Sequence, residues 1–345
     1  MDAKASVNDR YSRQILFPGI GEAGQRKLLA ARVLIVGCGA LGSAHAESFC
    51  RAGVGRLRIV DRDFVEPSNL QRQTLFTEAD AEKRLPKAIA AANHLREINS
   101  DCDIEPHVVD VNHSNVEQLI SGCDVVVDGT DNFATRYLIN DACVKHETNW
   151  IYGAAVGSYG VTMTIRPHQT ACLRCIFEAP PPAASAPTCD TAGVIMPIIS
   201  IVSAVQVTEA LKLITGRVAE LHASLMQFDV WQNEWRKIGI GAPHADCPTC
   251  GLGQFETLSA VATETAAVLC GRDAVQISPS QPGVVDFRLL AERLRPAGEV
   301  KFNEYLLRFR TGPFELTVFQ DARSIVRGTD QIATARSLYA KYIGN

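Results

Sequence analysis

The sequence predicts an α/β fold built on a doubly wound, mostly parallel sheet, on three observations. An apolar run at residues 32–36 (RVLIV) leads into a glycine turn and then a helical pattern. Strand-like and helix-like segments alternate from there to about residue 128. The motif G-x-G-x-x-G (Gly37, Gly39, Gly42) falls at the first strand-to-helix junction. Alternation of this kind places ligands in the crevice beyond the carboxyl ends of the strands, so the functional residues are expected in loops.

Taken in order, residues 21–31 carry an amphipathic helical pattern, residues 32–36 a buried strand, and residues 43–52 a helix. A second strand is expected over 56–61, a helix with Ala/Ile/Leu periodicity over 87–97, and strands over 104–111 and 124–128. Residues 152–165 are glycine-rich and β-like. The prolines of residues 179–187 (APPPAASAP) exclude a helix interior or a central strand, leaving an extended loop. The longest uncharged stretch, 192–208 (AGVIMPIISIVSAVQVT), is shorter than the ~20 apolar residues of a spanning helix, and reads as a buried helix. Residues 258–345 have their own strand signals at 305–309 and 314–319 and a final helical run at 331–342. They read as a small α+β appendix to a domain of residues 1–257.

Composition narrows the classes. Hydrophobic residues at 46% and charged residues at 21% describe an ordinary folded chain. A net charge of -4 disfavours a protein built mainly to hold nucleic acid. The first ten residues, MDAKASVNDR, lack an apolar signal region, and no membrane association is expected, so the expected location is the cytoplasm. In that compartment the 11 cysteines are not a disulfide framework.

The glycine turn suits phosphate binding, because backbone N–H groups and a helix N-terminus converge there. Asp61 ends the next strand at about the ~20-residue offset of an acid that grips ribose hydroxyls. That pair alone would suit a dinucleotide dehydrogenase. The residues after Asp61 are unlike one: Asn69, Gln71, Arg72 and Gln73 lie in SNLQRQT, and Lys87 opens a helix after Pro86. An Arg fork and a Lys point charge together stabilise phosphate charge, although each alone is as readily a solvated surface residue. In GTDN (residues 129–132), Asp131 has the oxygen chemistry of a Mg²⁺ ligand; the competing role is a cap for the next helix.

Cys172-x-x-Cys175 and Cys247-x-x-Cys250 supply two chelating thiolate pairs, as in a closed tetrahedral Zn²⁺ site of structural type. A redox pair would need only one such unit. Cys189, in PTCDTAGV, precedes the apolar helix, whose N-terminus would lower its thiol pKa; the alternative is a buried small hydrophobe. Cys38, Cys50, Cys102, Cys123, Cys143 and Cys270 lack chelating spacing and read as core residues.

In this order YSRQILFPGIGEAGQ, GCGALGS, DFVEPSNLQRQT, GTDN, the paired C-x-x-C units and TCDTAGV resemble the ThiF/MoeB/HesA family, bacterial relatives of ubiquitin-activating enzymes. The resemblance spans roughly residues 10–251. It implies a Rossmann-like, ATP-binding adenylation domain with a structural zinc site. The implied reaction is Mg-ATP-dependent adenylation of the C-terminal Gly-Gly carboxylate of a ubiquitin-like sulfur carrier, with release of pyrophosphate. Motif by motif, Asp61 would bind ribose, Arg72 and Lys87 the phosphates, Asp131 the magnesium, and Gly39 with Ala40 would form the phosphate turn. Arg13 would reach into the neighbouring subunit's site, which implies a homodimer. Cys189 matches the position of a sulfur-handling cysteine. The last segment resembles the extension of some thiamine-type members and is not a rhodanese, so the sulfur donor would be a separate protein. Carriers of thiamine, molybdopterin, other metabolite or tRNA-thiolation pathways all fit. Activation of a peptide or tRNA-bound carboxylate and a non-catalytic scaffold are the alternatives.

Overall fold

The computed structural model describes residues 7–179, 192–259, 265–269, 273–279 and 283–344. The chain forms two compact units, Met1–Ala260 and Val261–Asn345.

The first unit is built on an eight-stranded sheet of β1 (Arg32–Val36), β2 (Arg56–Val60), β3 (Asp103–His107), β4 (Val125–Asp128), β5 (Asn149–Val156), β6 (Tyr159–Ile165), β7 (Ser224–Asp229) and β8 (Glu234–Gly239). Their order is β3-β2-β1-β4-β5-β6-β7-β8. The first five run parallel. The last three add antiparallel pairings. Strand order reverses at β1, the switch point where open α/β sheets hold their ligands.

β1 shows why these residues form a central strand. Val33, Leu34 and Ile35 are all fully buried, and such a run suits a strand covered on both faces. Successive side chains point to opposite faces. Val33 and Ile35 join a core with Leu28, Phe49 and Ala91, whereas Leu34 and Val36 join one with Val126, Ile139 and Trp150. Each buried Leu or Ile is worth about 1.5–3 kcal/mol.

Several boundaries differ from expectation. The helix after the glycine turn spans Ala40–Ala52, starting directly on the turn. β3 stops at His107, since Asn112 and Asn115 fold residues 110–115 into a turn: Asn115 Oδ1 accepts from Asn112 N at 2.9 Å, and its Nδ2 donates to Asp110 O at 2.8 Å. Residues 152–165 divide into the β5–β6 hairpin. The expected 192–208 helix runs Met196–Thr215, ending at left-handed Gly216. Among the described residues it is the one helix long and apolar enough to cross a membrane. It packs here against β5, β6 and the Ala40–Ala52 helix, with Gln206 and Glu209 hydrogen-bonded in the interior. Of the cysteines read as core, Cys38, Cys50, Cys102 and Cys143 are buried, Cys123 is half-buried, and Cys270 lies outside the described residues.

The second unit is a six-stranded antiparallel sheet: β9 (Thr265–Leu269), β10 (Ala274–Ser278), β11 (Glu299–Phe302), β12 (Leu306–Thr311), β13 (Phe314–Phe319) and β14 (Ser324–Arg327), in the order β11-β12-β13-β14-β10-β9. Alternate residues Leu307, Phe309, Leu316 and Val318 pack with Leu290 and Tyr339 of the helices Phe287–Leu294 and Ile332–Tyr342.

Candidate functional site

The glycine turn follows β1. Gly37 has φ +86°, and a Cβ there would lie 2.7 Å from the Gly129 carbonyl oxygen. A Cβ on Gly42 would overlap the Gly37 carbonyl oxygen. Three backbone segments therefore meet where no side chain fits. Gly39 differs: a Cβ there would meet only Gln73 Nε2, at 3.7 Å, so its backbone is open to a ligand. Gln73 is buried, and its Oε1 has no partner among the described residues. An open glycine beside an unsatisfied buried amide is a fit for a polar ligand at the N-terminus of the Ala40–Ala52 helix.

Asp61 closes the turn from β2. Its Oδ2 accepts from Cys38 N at 2.6 Å and its Oδ1 from Asp63 N at 2.7 Å. Burial raises its carboxyl above the ordinary range, while Lys87 and the two amides pull it down. Lys87, at the start of the helix Lys87–Ile98, is buried and places Nζ 3.4 Å from Asp63 Oδ2. In SNLQRQT, Asn69 is buried and accepts from Glu66 N at 3.0 Å; Arg72 is half-buried and donates to Ser68 O at 2.8 Å.

The fourth segment is the loop after β4. Asp131 is exposed, and the helix Phe133–Lys145 is capped by the neighbouring Asn132, whose side chain accepts from Thr135 N at 2.8 Å. Capping is therefore not the task of Asp131. Below the loop Asp128 and Arg136 form a buried ion pair at 3.1 Å, with Thr130 bonded to both. Gln206 Nε2 donates to Asp128 O at 3.1 Å, and its Oε1 lies 2.9 Å from His45 Nε2. Burial lowers the His45 pKa to about 4.

The expected residues Gly37, Gly39, Ala40, Gly42, Asp61, Gln73 and Lys87 thus surround one turn, with Gly129 of the Asp131 loop packed onto it. Arg13 stands apart, exposed on the short helix Ser12–Ile15, whose Gln14 donates to Ala52 O at the end of the Ala40–Ala52 helix remote from the turn. Cys189 and residues 180–187 of the proline-rich loop lie outside the described residues. Sequence reasoning missed Asp128, Arg136, Gln206 and His45. For Asp128 and Arg136 the one cue is their place in DGTDNFATRYLIND, a segment rich in ionisable and amide residues at the end of an apolar strand; the sequence carries no cue for Gln206 or His45.

Cys172, Cys175, Cys247 and Cys250 converge, with all four Sγ atoms within 4.8 Å of one another. Neighbouring Sγ atoms are 3.3–3.8 Å apart. Tetrahedral Zn–S bonds of ≈ 2.3 Å give an edge of about 3.8 Å, so the cluster fits such an ion. The surroundings hold it in shape. Asn140 accepts from Leu173 N at 2.9 Å and donates to Cys172 Sγ at 3.7 Å, and Asp141 accepts from Thr249 Oγ1 and Thr257 Oγ1, each at 2.7 Å. Buried partners of this kind orient metal ligands.

A glycine turn at the switch point of a doubly wound sheet, flanked by a buried lysine, marks a nucleotide-binding α/β protein. Residues 11–249 match the ThiF family, and the chain belongs to it. It is 48% identical over 340 residues to a sulfur carrier protein ThiS adenylyltransferase of Bacillus subtilis, covering 98% of this chain and 100% of that one. It is 38% identical over 254 residues to a SAMP-activating enzyme E1 of Haloferax volcanii, covering 74% and 93%. An adenylyltransferase and sulfurtransferase MOCS3 of Aedes aegypti is 39% identical over 241 residues, covering 70% and 55%. The structure of E. coli MccB with ATP superposes with a TM-score of 0.61 at 22% identity, over 71% of this chain and 75% of that one, a likeness of fold.

Proposed function

We propose that this chain is an adenylyltransferase that activates the C-terminal Gly-Gly carboxylate of a ubiquitin-like sulfur carrier of the ThiS type. The carrying observation is the turn at Gly37–Gly42, open at Gly39 and faced by buried Lys87, in a chain of the ThiF family. The ThiS-type carrier is favoured because similarity to the B. subtilis enzyme extends over residues of both compact units, whereas the other two relatives match 74% and 70% of the chain.

In the proposed reaction a carrier carboxylate oxygen attacks the α-phosphorus of ATP in line, and the bond to pyrophosphate breaks. Asp61 binds ribose, Asn69 and Gln73 contribute further polar contacts to the nucleotide, and Arg72 and Lys87 stabilise charge on the phosphates. Asp131 would hold Mg²⁺, which supplies further charge stabilisation. Arg13 acts in the partner subunit of a homodimer, since its helix sits at the end of the Ala40–Ala52 helix remote from the turn in its own chain. A purified monomer with full activity would refute that role. Zn²⁺ held by Cys172, Cys175, Cys247 and Cys250 is structural, joining two distant parts of the sequence. Residues 1–257 form the adenylation domain and 258–345 an extension.

The acyl-adenylate is then open to a sulfur nucleophile from a separate donor protein. A persulfide on the donor passes its outer sulfur to the Cys189 thiolate, leaving the donor as a thiol. The Cys189 persulfide attacks the acyl-adenylate and expels AMP, giving an acyl disulfide, and two equivalents of a thiol reductant then free the thiocarboxylate and Cys189 as they are oxidised to a disulfide. Unchanged thiocarboxylate formation by Cys189→Ala with a protein sulfur donor would remove the relay and leave adenylation standing. The adenylation itself is tested by ATP–pyrophosphate exchange, which should depend on the carrier and vanish when its Gly-Gly tail is deleted. Exchange indifferent to the tail would refute the proposed substrate.

A further inference from the structure

The loop that presents Asp131 is fixed by side chains on either side of it. Asp128 is fully buried and Arg136 is 5% exposed. Asp128 Oδ1 accepts from Thr130 N at 2.8 Å and from Thr130 Oγ1 at 2.7 Å. Its Oδ2 accepts from Arg136 Nε at 3.1 Å. Arg136 Nη2 then returns to the loop, donating to Thr130 O at 2.6 Å and to Gly153 O of β5 at 3.1 Å. The N–H, the carbonyl and the hydroxyl of Thr130 are thus all bonded to this one ion pair. Asn132 is pinned on the other side by its capping bond. Asp131 lies between two immobilised residues and is itself exposed.

A buried ion pair is a poor source of net stability, because desolvating two charges roughly offsets their attraction; what it supplies best is defined geometry. Mg²⁺ demands near-octahedral coordination at ≈ 2.0–2.1 Å, so a carboxylate ligand on a loop is useful only if the loop is held. We infer that Asp128, Thr130 and Arg136 are positioning residues, which set where the Asp131 carboxylate meets a Mg²⁺–nucleotide. The inference rests on the proposed role of Asp131 as the magnesium ligand. Arg136 faces the loop: its hydrogen-bond partners among the described residues are Asp128, Thr130 and Gly153.

The test measures the Mg²⁺ concentration that half-saturates ATP–pyrophosphate exchange, together with ATP binding in EDTA and thermal stability. The variants are Thr130→Val, Arg136→Lys and Asp131→Asn, in the full chain with its carrier. Thr130→Val removes one hydroxyl bond at constant volume and leaves the ion pair whole; Arg136→Lys keeps the charge but not the fork. Partners that orient metal ligands typically alter metal affinity by 10–100-fold, so the half-saturating Mg²⁺ should rise about 10-fold in both, with metal-free ATP binding unchanged. If Arg136→Lys fails to fold, Thr130→Val decides alone. A merely structural pair would lower the melting temperature and leave the Mg²⁺ requirement where it was; that result in Thr130→Val, with Asp131→Asn raising the requirement, overturns the inference. An unmoved requirement in Asp131→Asn overturns the magnesium role of Asp131 itself, and the inference with it.

Discussion

Lys87 is bound to Asp63 at both ends of its length: its backbone N–H donates to Asp63 O at 2.9 Å, and its Nζ lies 3.4 Å from Asp63 Oδ2. Asp63 in turn donates its backbone N–H to Asp61. Asp61, Asp63 and Lys87 are therefore parts of one hydrogen-bonded unit. Lys87→Ala should lower carrier-dependent exchange by about 10²–10³, the usual loss for one donor to developing transition-state charge. Steady-state exchange rates, compared at matched folded fraction, check this. A loss below tenfold would remove Lys87 from the chemistry.

Two glycines of the same turn should separate folding from binding. An added methyl at Gly42 collides with the Gly37 carbonyl oxygen, whereas at Gly39 it meets only Gln73 at 3.7 Å. Gly42→Ala should be destabilised by about 1–3 kcal/mol or more, as overpacked sites are. Gly39→Ala should melt like the parent chain and bind ATP more weakly. Melting curves and nucleotide titrations of the two variants, side by side, check both halves; equal melting of the two would contradict the steric assignment.

The cysteine cluster predicts one zinc per chain by elemental analysis. Cys247→Ser should lose that metal and destabilise the first unit, because metal binding to such a site is coupled to folding. Retention of full zinc content by the variant would mean the ion sits elsewhere.

His45 makes stability depend on pH. Its folded pKa is about 4, while the unfolded chain has an ordinary imidazole near ~6.5, so between these values the unfolded state binds the extra proton. Stability due to this group is complete above ~6.5 and declines as pH falls toward 4, by up to about 3 kcal/mol. His45→Gln should flatten that decline. Denaturant midpoints at pH 7 and pH 5 for both chains measure it; parallel slopes would show that His45 does not titrate as described.

Much of the site was legible because its chemistry is local in sequence. The turn Gly37–Gly42 needs only a strand, three glycines and a helix, and the C-x-x-C pairs announce themselves by spacing. The pairing of Asp128 with Arg136 was not legible. Their meaning lies in a buried contact to Thr130 and to Gly153 on the next strand, and an Asp and an Arg eight residues apart across a loop have no period that betrays it. The antiparallel edge strand β8 was missed for another reason. β8 is exposed at every residue, so it lacks the apolar alternation by which strands are read. Asp131 shows the converse: its sequence left capping open, and only the Asn132–Thr135 bond assigned the cap to its neighbour.

The proposed activity of this chain is to join AMP to a carrier's terminal carboxylate. It is tested most directly by the intact mass of a ThiS-type carrier incubated with the enzyme and Mg-ATP, with pyrophosphatase added to draw the reaction forward. The expected product is a carrier heavier by one adenylyl group, absent when the Gly-Gly tail is removed and absent with Lys87→Ala. A carrier of unchanged mass, under conditions where the enzyme binds ATP and carrier together, would contradict it.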